Sequence, residues 1–380
     1  MLVLKGKYNH ANVMIDEIDI TTKEQIINFL NHPAFANSYI AIMPDTHAGK
    51  GSVIGFTMKS KLTHIIPNII GVDIGCGMLT CIINKNPKDV DLTGLDSFIK
   101  DNIPAGFNIH SNLISCSKEL ESSVFTVCDN IDIDSDRVFR SLGSLGGGNH
   151  FCEVGRTVEG KTAVTIHSGS RNFGKQIADF YQNKAKETMQ SYFSNDPIFK
   201  DLEVIPIHTK LAKEYILSQT IATKYASTNR RIMMNQILNY LGGNIESSME
   251  SIHNFIERNG EDYILRKGAT PAYSGQNVII PFNMRDGIAL GIGKGSAKYN
   301  YSAPHGAGRI LSRSKARKTL NVDVFKATMK DHGIYTTTAN KNTIDESPDA
   351  YKDKNVVLDN IKETVEIHNF IKPIYNFKAG

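Results

Sequence analysis

The sequence predicts an α+β fold with a mixed-sheet core, surrounding helices and functional loops at strand ends. Three observations predict it. Short β-rich runs and longer helical stretches alternate without a regular βαβ period. Glycines gather at Gly49–Gly55, Gly71–Gly77, Gly143–Gly148, Gly287–Gly295 and Gly306–Gly308, each beside His, Asp or Cys. No polar, low-complexity or Pro-rich linker divides the chain, so residues 1–380 read as one domain.

The individual elements follow. Phe151–Val154 and Thr162–Ile166 carry strand composition, and Gly155–Lys161 between them reads as a hairpin-type connection. Val278–Pro281 is another short apolar run. After Gly174, the residues Ile177, Phe180, Tyr181 and Met189 keep helical spacing. A longer helix is expected over about Leu211–Leu241, stopped by Gly242–Gly243.

Composition narrows the class of function. Hydrophobic residues make up 41% and charged residues 22%, the balance of an ordinary globular protein. The net charge of +4 permits an anionic partner without demanding one. No apolar run of about 18 residues occurs, so no membrane helix is expected. The start, MLVLKGKYNHANVMIDE, carries charge too early for a secretory signal. Five cysteines, an odd number without a CxxC pair, argue against a disulfide framework and for a reducing cytoplasm.

Among the 12 histidines, three stand at Gly-rich turns: His150 in GGGNHF, His167 in TIHSGSR and His305 in PHGAGR. His150 and His167 bracket the two expected strands, and in an antiparallel pair their rings can meet across the ladder. Asp73 and Cys76 share the tight turn GVDIGCG. Carboxylate, thiolate and imidazoles together suit a transition metal, although each motif alone reads equally as a glycine-stabilised turn. No GxxxxGK[ST] phosphate loop is present; HAGKGS and GKGS have glycine where that pattern needs Ser or Thr. His305–Lys318 is basic, which suits either a solvated helix face or a phosphate-binding surface.

In series, these motifs resemble the RtcB family of RNA-splicing ligases. The matching segments are MPDTHAGKG (Met43–Gly51), GVDIGCG, LGGGNHFCEV (Leu145–Val154), IHSGSR (Ile166–Arg171), HNFIE (His253–Glu257), RKGATPA (Arg266–Ala272), HGAGRILSR (His305–Arg313), DESPDAYKD (Asp345–Asp353) and the final Lys378-Ala379-Gly380. The resemblance implies a single RtcB-like domain and a GTP-dependent ligase using two manganese ions. Its ligand positions correspond to Asp73, Cys76, His150, His167 and His253, with His368 in a second IHNFI copy as a rival for His253. His305 corresponds to the histidine that becomes guanylylated. Asn149, Phe151, Glu153, Asn254, Asn283, Gly306, Ala307, Gly308, Tyr351 and Lys378 correspond to the GTP site. Asp45, Arg171, Arg309 and Arg313 are expected along the RNA path.

The implied substrate is RNA with a 3′-phosphate or 2′,3′-cyclic phosphate and a 5′-hydroxyl, with an activating protein as a further expected partner. Where the family has HWGYG and DINCG, this chain has HAGKG and DIGCG, and Phe282–Ala289 replaces a family GSMGTAS stretch. Two other readings are a metal-dependent cyclic-phosphate hydrolase, which needs neither His305 nor Glu153, and a non-catalytic RNA binder, which needs no metal ligands.

Overall fold

The chain builds two large sheets. The computed structural model describes residues 1–192 and 197–379. One sheet has six strands in the order Leu2–Lys5, His10–Val13, Tyr39–His47, Ile54–Ser60, Asp262–Lys267, Asn254–Asn259. His10–Val13 lies parallel to Tyr39–His47; the other neighbours are antiparallel. The second has seven antiparallel strands in the order Ile245–Ile252, Gly77–Ile83, Thr162–Ser168, Phe151–Arg156, Val365–Lys378, Ile288–Gly293, Asn277–Pro281. The α+β expectation holds, and the strands expected at Phe151–Val154, Thr162–Ile166 and Val278–Pro281 form within one or two residues of those bounds.

A helix spanning Lys210–Leu241 joins the two sheets. Thr209 caps its start by accepting from the Ala212 N–H, and Gly242 ends it at φ +68°. At 32 residues it is about 48 Å long. Its first half sends Ala212, Tyr215, Ala222 and Tyr225 into the core beneath the six-stranded sheet. Its second half sends Met233, Met234, Ile237 and Leu241 into the core beneath the seven-stranded sheet. Asn229 and Arg230, both fully buried, lie between the two halves. Among the described residues, no helix is long and apolar enough to cross a membrane.

Strand register decides where function can sit. Gly77 pairs with both Ile252 and Ser168, and His167 pairs with Phe151. Four neighbouring antiparallel strands therefore end or begin at one sheet edge. Cys76, His150, His167 and His253 all occupy that edge, at or next to strand ends.

Candidate active site: a thiol–imidazole cluster beside a nucleotide-sized cavity

The Gly71–Gly77 turn is built for close approach. The Cys76 N–H donates to Asp73 O (3.2 Å) and the Gly75 N–H to Asn254 O (2.8 Å). Gly75 sits at φ +72°, and a Cβ there would lie 2.7 Å from the Thr223 Cα of the long helix. The His253 N–H donates to Cys76 O (2.9 Å), which fixes the two ligand segments side by side.

The side chains converge as the motifs implied. Cys76 Sγ lies 3.3 Å from His150 Nε2 and 3.3 Å from His167 Nε2. His150 Nε2 is 2.9 Å from Asp73 Oδ2, and His167 Nε2 is 3.3 Å from His253 Nε2. A Cβ at Gly169 would collide with the Asp73 carboxylate, so that glycine leaves the room the carboxylate occupies. Cys76, His150 and His167 are all buried and offer donor atoms to one cation. His368 is exposed, far along the strand Val365–Lys378, and takes no part.

The protonation states suit cation binding. Burial and then the neighbouring rings hold His167 and His253 well below the usual histidine range, so both keep a free lone pair. Burial opposes ionisation of Asp73, yet the His150 ring beside it brings its carboxyl below the usual range. Burial and the Asp73 charge push the Cys76 thiol well up; a divalent cation reverses that balance by favouring the thiolate. The remaining ring nitrogens, His150 Nδ1 and His253 Nδ1, are buried without a partner.

His305 joins this cluster from the other side. Ala269 pairs with Pro304 in a short two-stranded ladder, and the Ala269 N–H donates to His253 O (3.3 Å). The His305 and His253 ring centroids are consequently 4.7 Å apart. Asp45 Oδ2 accepts from His305 Nδ1 (2.7 Å) and from the His305 main-chain N–H (3.2 Å). Asp45, expected near the metal and RNA path, is fully buried beside His305. Lys352 secures its strand by donating to Pro44 O (3.0 Å) and Thr46 O (2.9 Å).

A cavity of about 580 Å³ opens at His305. Asn149, Phe151, Glu153, Asn283, Gly306, Ala307, Gly308, Tyr351 and Lys378 line it, and Arg309 and Arg313 reach it. The tRNA-splicing ligase RtcB family model matches residues 25–131 and 129–379. The chain belongs to the RtcB family. RNA-splicing ligase RtcB of Escherichia coli K12 is 31% identical over 387 residues, covering 92% of each chain. The tRNA-splicing ligase RtcB of Aeropyrum pernix is 29% identical over 401 residues, 83% of this chain and 82% of that protein. RNA-splicing ligase RtcB of Mycobacterium tuberculosis is 26% identical over 415 residues, 88% of this chain and 95% of that protein.

Several positions expected from RtcB motifs are committed to other partners. Asn254 donates to Asp73 O (3.1 Å) and accepts from the Gly268 N–H (2.8 Å), stapling the ligand loops rather than lining the cavity. Asn283 donates to Asp286 Oδ2 (2.7 Å) and caps the Arg285 and Asp286 N–H groups. Arg171 donates to Ser144 Oγ (2.9 Å) and Gly106 O (2.7 Å). Three of the five cations in the basic stretch after His305 share two carboxylates: Arg313 meets Asp345 (2.7 Å) and Glu346 (2.6 Å), Arg309 meets Glu346 (3.2 Å), and Arg317 meets Asp345 (3.1 Å).

Glu346 is the hub of that group. It also accepts from Tyr351 OH (2.6 Å) and Lys378 Nζ (3.1 Å). Burial opposes its ionisation, but Lys378, Arg313 and Arg309 bring its pKa down to about 2. DESPDAYKD contributes this carboxylate, yet no spacing rule singled it out.

Two further groups escaped sequence reasoning. Asn229 donates to Ser144 O (3.1 Å), Ser168 Oγ (3.2 Å) and Gly169 O (3.2 Å), while its Oδ1 accepts from the Ser144 N–H (3.1 Å). Arg230 donates to Gly75 O (2.9 Å), Ser168 O (2.7 Å) and Glu250 (2.7 Å). Together these neighbours touch the segments leading to all the cluster histidines and the Asp73–Cys76 turn. They hold the segments that carry the cluster side chains through backbone contacts, the way outer partners of a metal site would.

Proposed function

We propose that this chain is a GTP- and manganese-dependent RNA ligase that works through a guanylylated His305. The observation that carries the reading is the position of the His305 ring, between the Asp45 carboxylate at 2.7 Å and the His253 ring at 4.7 Å, at the cavity wall. Asp45 accepting from Nδ1–H fixes the tautomer and leaves the Nε2 lone pair as nucleophile. The buried carboxylate also stabilises the imidazolium that forms when Nε2 bonds to phosphorus.

The guanine preference rests on Glu153 and Asn376. Asn376 Nδ2 donates to Glu153 Oε2 (2.8 Å). Glu153 Oε1 and Asn376 Oδ1 are then left buried, without partners, on the cavity wall. Two free acceptors suit the N1–H and N2–H donors of guanine; adenine presents an acceptor at N1 instead. A buried acceptor left unpaired costs about 1–3 kcal/mol, so the mismatch disfavours ATP.

In the proposed sequence, His305 Nε2 attacks the α-phosphorus of GTP and the bond to the β-phosphate oxygen breaks, releasing pyrophosphate. An oxygen of the RNA 3′-phosphate then displaces His305 and takes the GMP. A 2′,3′-cyclic phosphate is hydrolysed first. The 5′-hydroxyl of the second end attacks the activated phosphate, and GMP leaves. Asp73, Cys76, His150, His167 and His253 fit a divalent-cation site by donor chemistry and convergence. Manganese held there would neutralise charge on phosphate oxygens. Two ions, the RNA end chemistry and an activating protein partner belong to this proposal.

The test is incubation with α-labelled GTP and manganese. Acid-labile label on the protein is expected, and its loss in His305→Ala. Label on that variant would overturn the assignment of His305. No label on the native chain would leave the hydrolase or RNA-binder reading.

A further inference from the structure

We infer that Phe107 is a stacking platform for an unpaired base of the RNA, next to the end being joined; this rests on the RNA-ligase reading. Phe107 is 98% exposed, whereas the next most exposed large apolar side chains among the described residues, Ile20 and Val158, reach 75% and 73%. Its loop is nevertheless firmly held. The Leu145 N–H donates to Pro104 O (2.8 Å) and the Gly106 N–H to Leu145 O (3.1 Å). The His110 N–H donates to Arg140 O (2.8 Å), Arg140 Nε to His110 O (2.9 Å), and His110 Nε2 lies 3.1 Å from Gly143 O. Such a loop fixes the backbone that carries the ring, so the ordering cost of stacking is confined to the ring's own two torsions and the base.

The ring's location ties it to the site. Gly106 abuts Gly147, with 3.8 Å from the Gly106 Cα to the position a Gly147 Cβ would take. Two residues on, Asn149 lines the cavity, and His150 follows it in the metal cluster. Two guanidinium groups flank this strip. Arg171 donates to Gly106 O itself (2.7 Å), and Arg313 lies against Gly148 (3.4 Å to a Cβ there). Arg313 keeps 40% of its side chain exposed. The loop's other exposed groups are the hydrogen-bonding side chains Asn108, Ser111 and Asn112 and the apolar Leu113, 56% exposed.

An exposed ring beside amides and the half-exposed Arg313, which keeps N–H groups beyond its carboxylate partners, matches single-stranded RNA, whose bases stack on aromatics while phosphates meet Arg. A protein partner would instead require a contiguous apolar centre in an interface of about 1,000 Å² or more. The ring takes any base, because every base has a π-face, so the platform adds affinity without adding sequence preference.

The experiment uses the full chain and single-stranded RNA with a 3′-phosphate, carrying 2-aminopurine at successive positions from that end. Native protein and Phe107→Tyr should quench the fluorophore at one position. Phe107→Ala should lose that quenching and bind the RNA about 10- to 100-fold more weakly. Labelling by α-labelled GTP should be equal in all three proteins. Equal quenching and equal RNA affinity in Phe107→Ala would overturn the platform, as would a loss confined to a protein partner's binding. Failure of the ligase reading appears separately, as absent GTP labelling of the native chain, while quenching still reports on the ring.

Discussion

The thiol–imidazole cluster and the Glu346 hub are both buried and both densely charged or polar, yet they are satisfied in opposite ways. Glu346 receives Tyr351, Arg309, Arg313 and Lys378, and every partner carries a proton to give. In the cluster, Asp73, Cys76, His150, His167 and His253 bring atoms able to ligate a cation within 2.9–3.3 Å of one another, with two ring nitrogens left unpartnered. One region is matched donor to acceptor within itself; the other gathers groups whose chemistry suits a cation. The difference teaches that buried polarity alone says little about function, and that the direction of donors and acceptors says more.

The contrast can be broken or sharpened by substitution. The largest effect is expected at Asp45→Asn, which keeps the shape but favours the wrong His305 tautomer. GTP labelling of the protein should slow about 10²- to 10⁴-fold, measured in a single turnover, with the fold unchanged. Next is Glu346→Gln, which leaves Arg309, Arg313 and Lys378 facing a neutral amide. A loss of about 3–5 kcal/mol in denaturant unfolding is expected, with manganese affinity unaltered. An unchanged midpoint would mean that the hub is not the self-sufficient region described.

Arg230→Met should weaken manganese binding by roughly 10- to 100-fold, read by titration of the metal-free protein, and Arg230→Lys should recover part of it. Equal affinity in both variants would reduce Arg230 to a packing role.

The smallest effects concern pH. Burial raises Glu153 to about 8 in the free protein, although Asn376 and Lys378 oppose the rise. Guanine donors favour the ionised form, so GTP binding should strengthen by up to about tenfold per pH unit as pH rises towards 8. Glu153→Gln should flatten that dependence in a calorimetric titration. Glu346 runs the other way in pH. Its folded pKa of about 2 lies below the ordinary 4.5, so its contribution to stability is full above pH 4.5. That contribution should fade as pH falls towards 2, measured as a declining thermal midpoint.

The sheet edge that carries function was legible because its signals are local. Strand composition at Phe151–Val154 and Thr162–Ile166 set the ladder, and the ladder brings His150 and His167 to 5.1 Å between ring centroids. The six-stranded sheet was not legible: its first two strands, Leu2–Lys5 and His10–Val13, are four residues long and mix polar with apolar residues. Arg309 and Arg313 read as a basic surface because their carboxylates lie 32–37 residues away, in a turn without periodicity. Arg230 was missed for a related reason. A charged residue in a long helix pattern implies solvent, and only the meeting of two sheets makes that position fully buried.

The helix Lys210–Leu241 therefore does more than fill space between two cores. Because one rod serves both, neither sheet can come apart without unseating the dipeptide that clasps the ligand loops. Cation binding would then brace the whole molecule as one cooperative unit, and amide exchange should slow in both halves together when manganese is added.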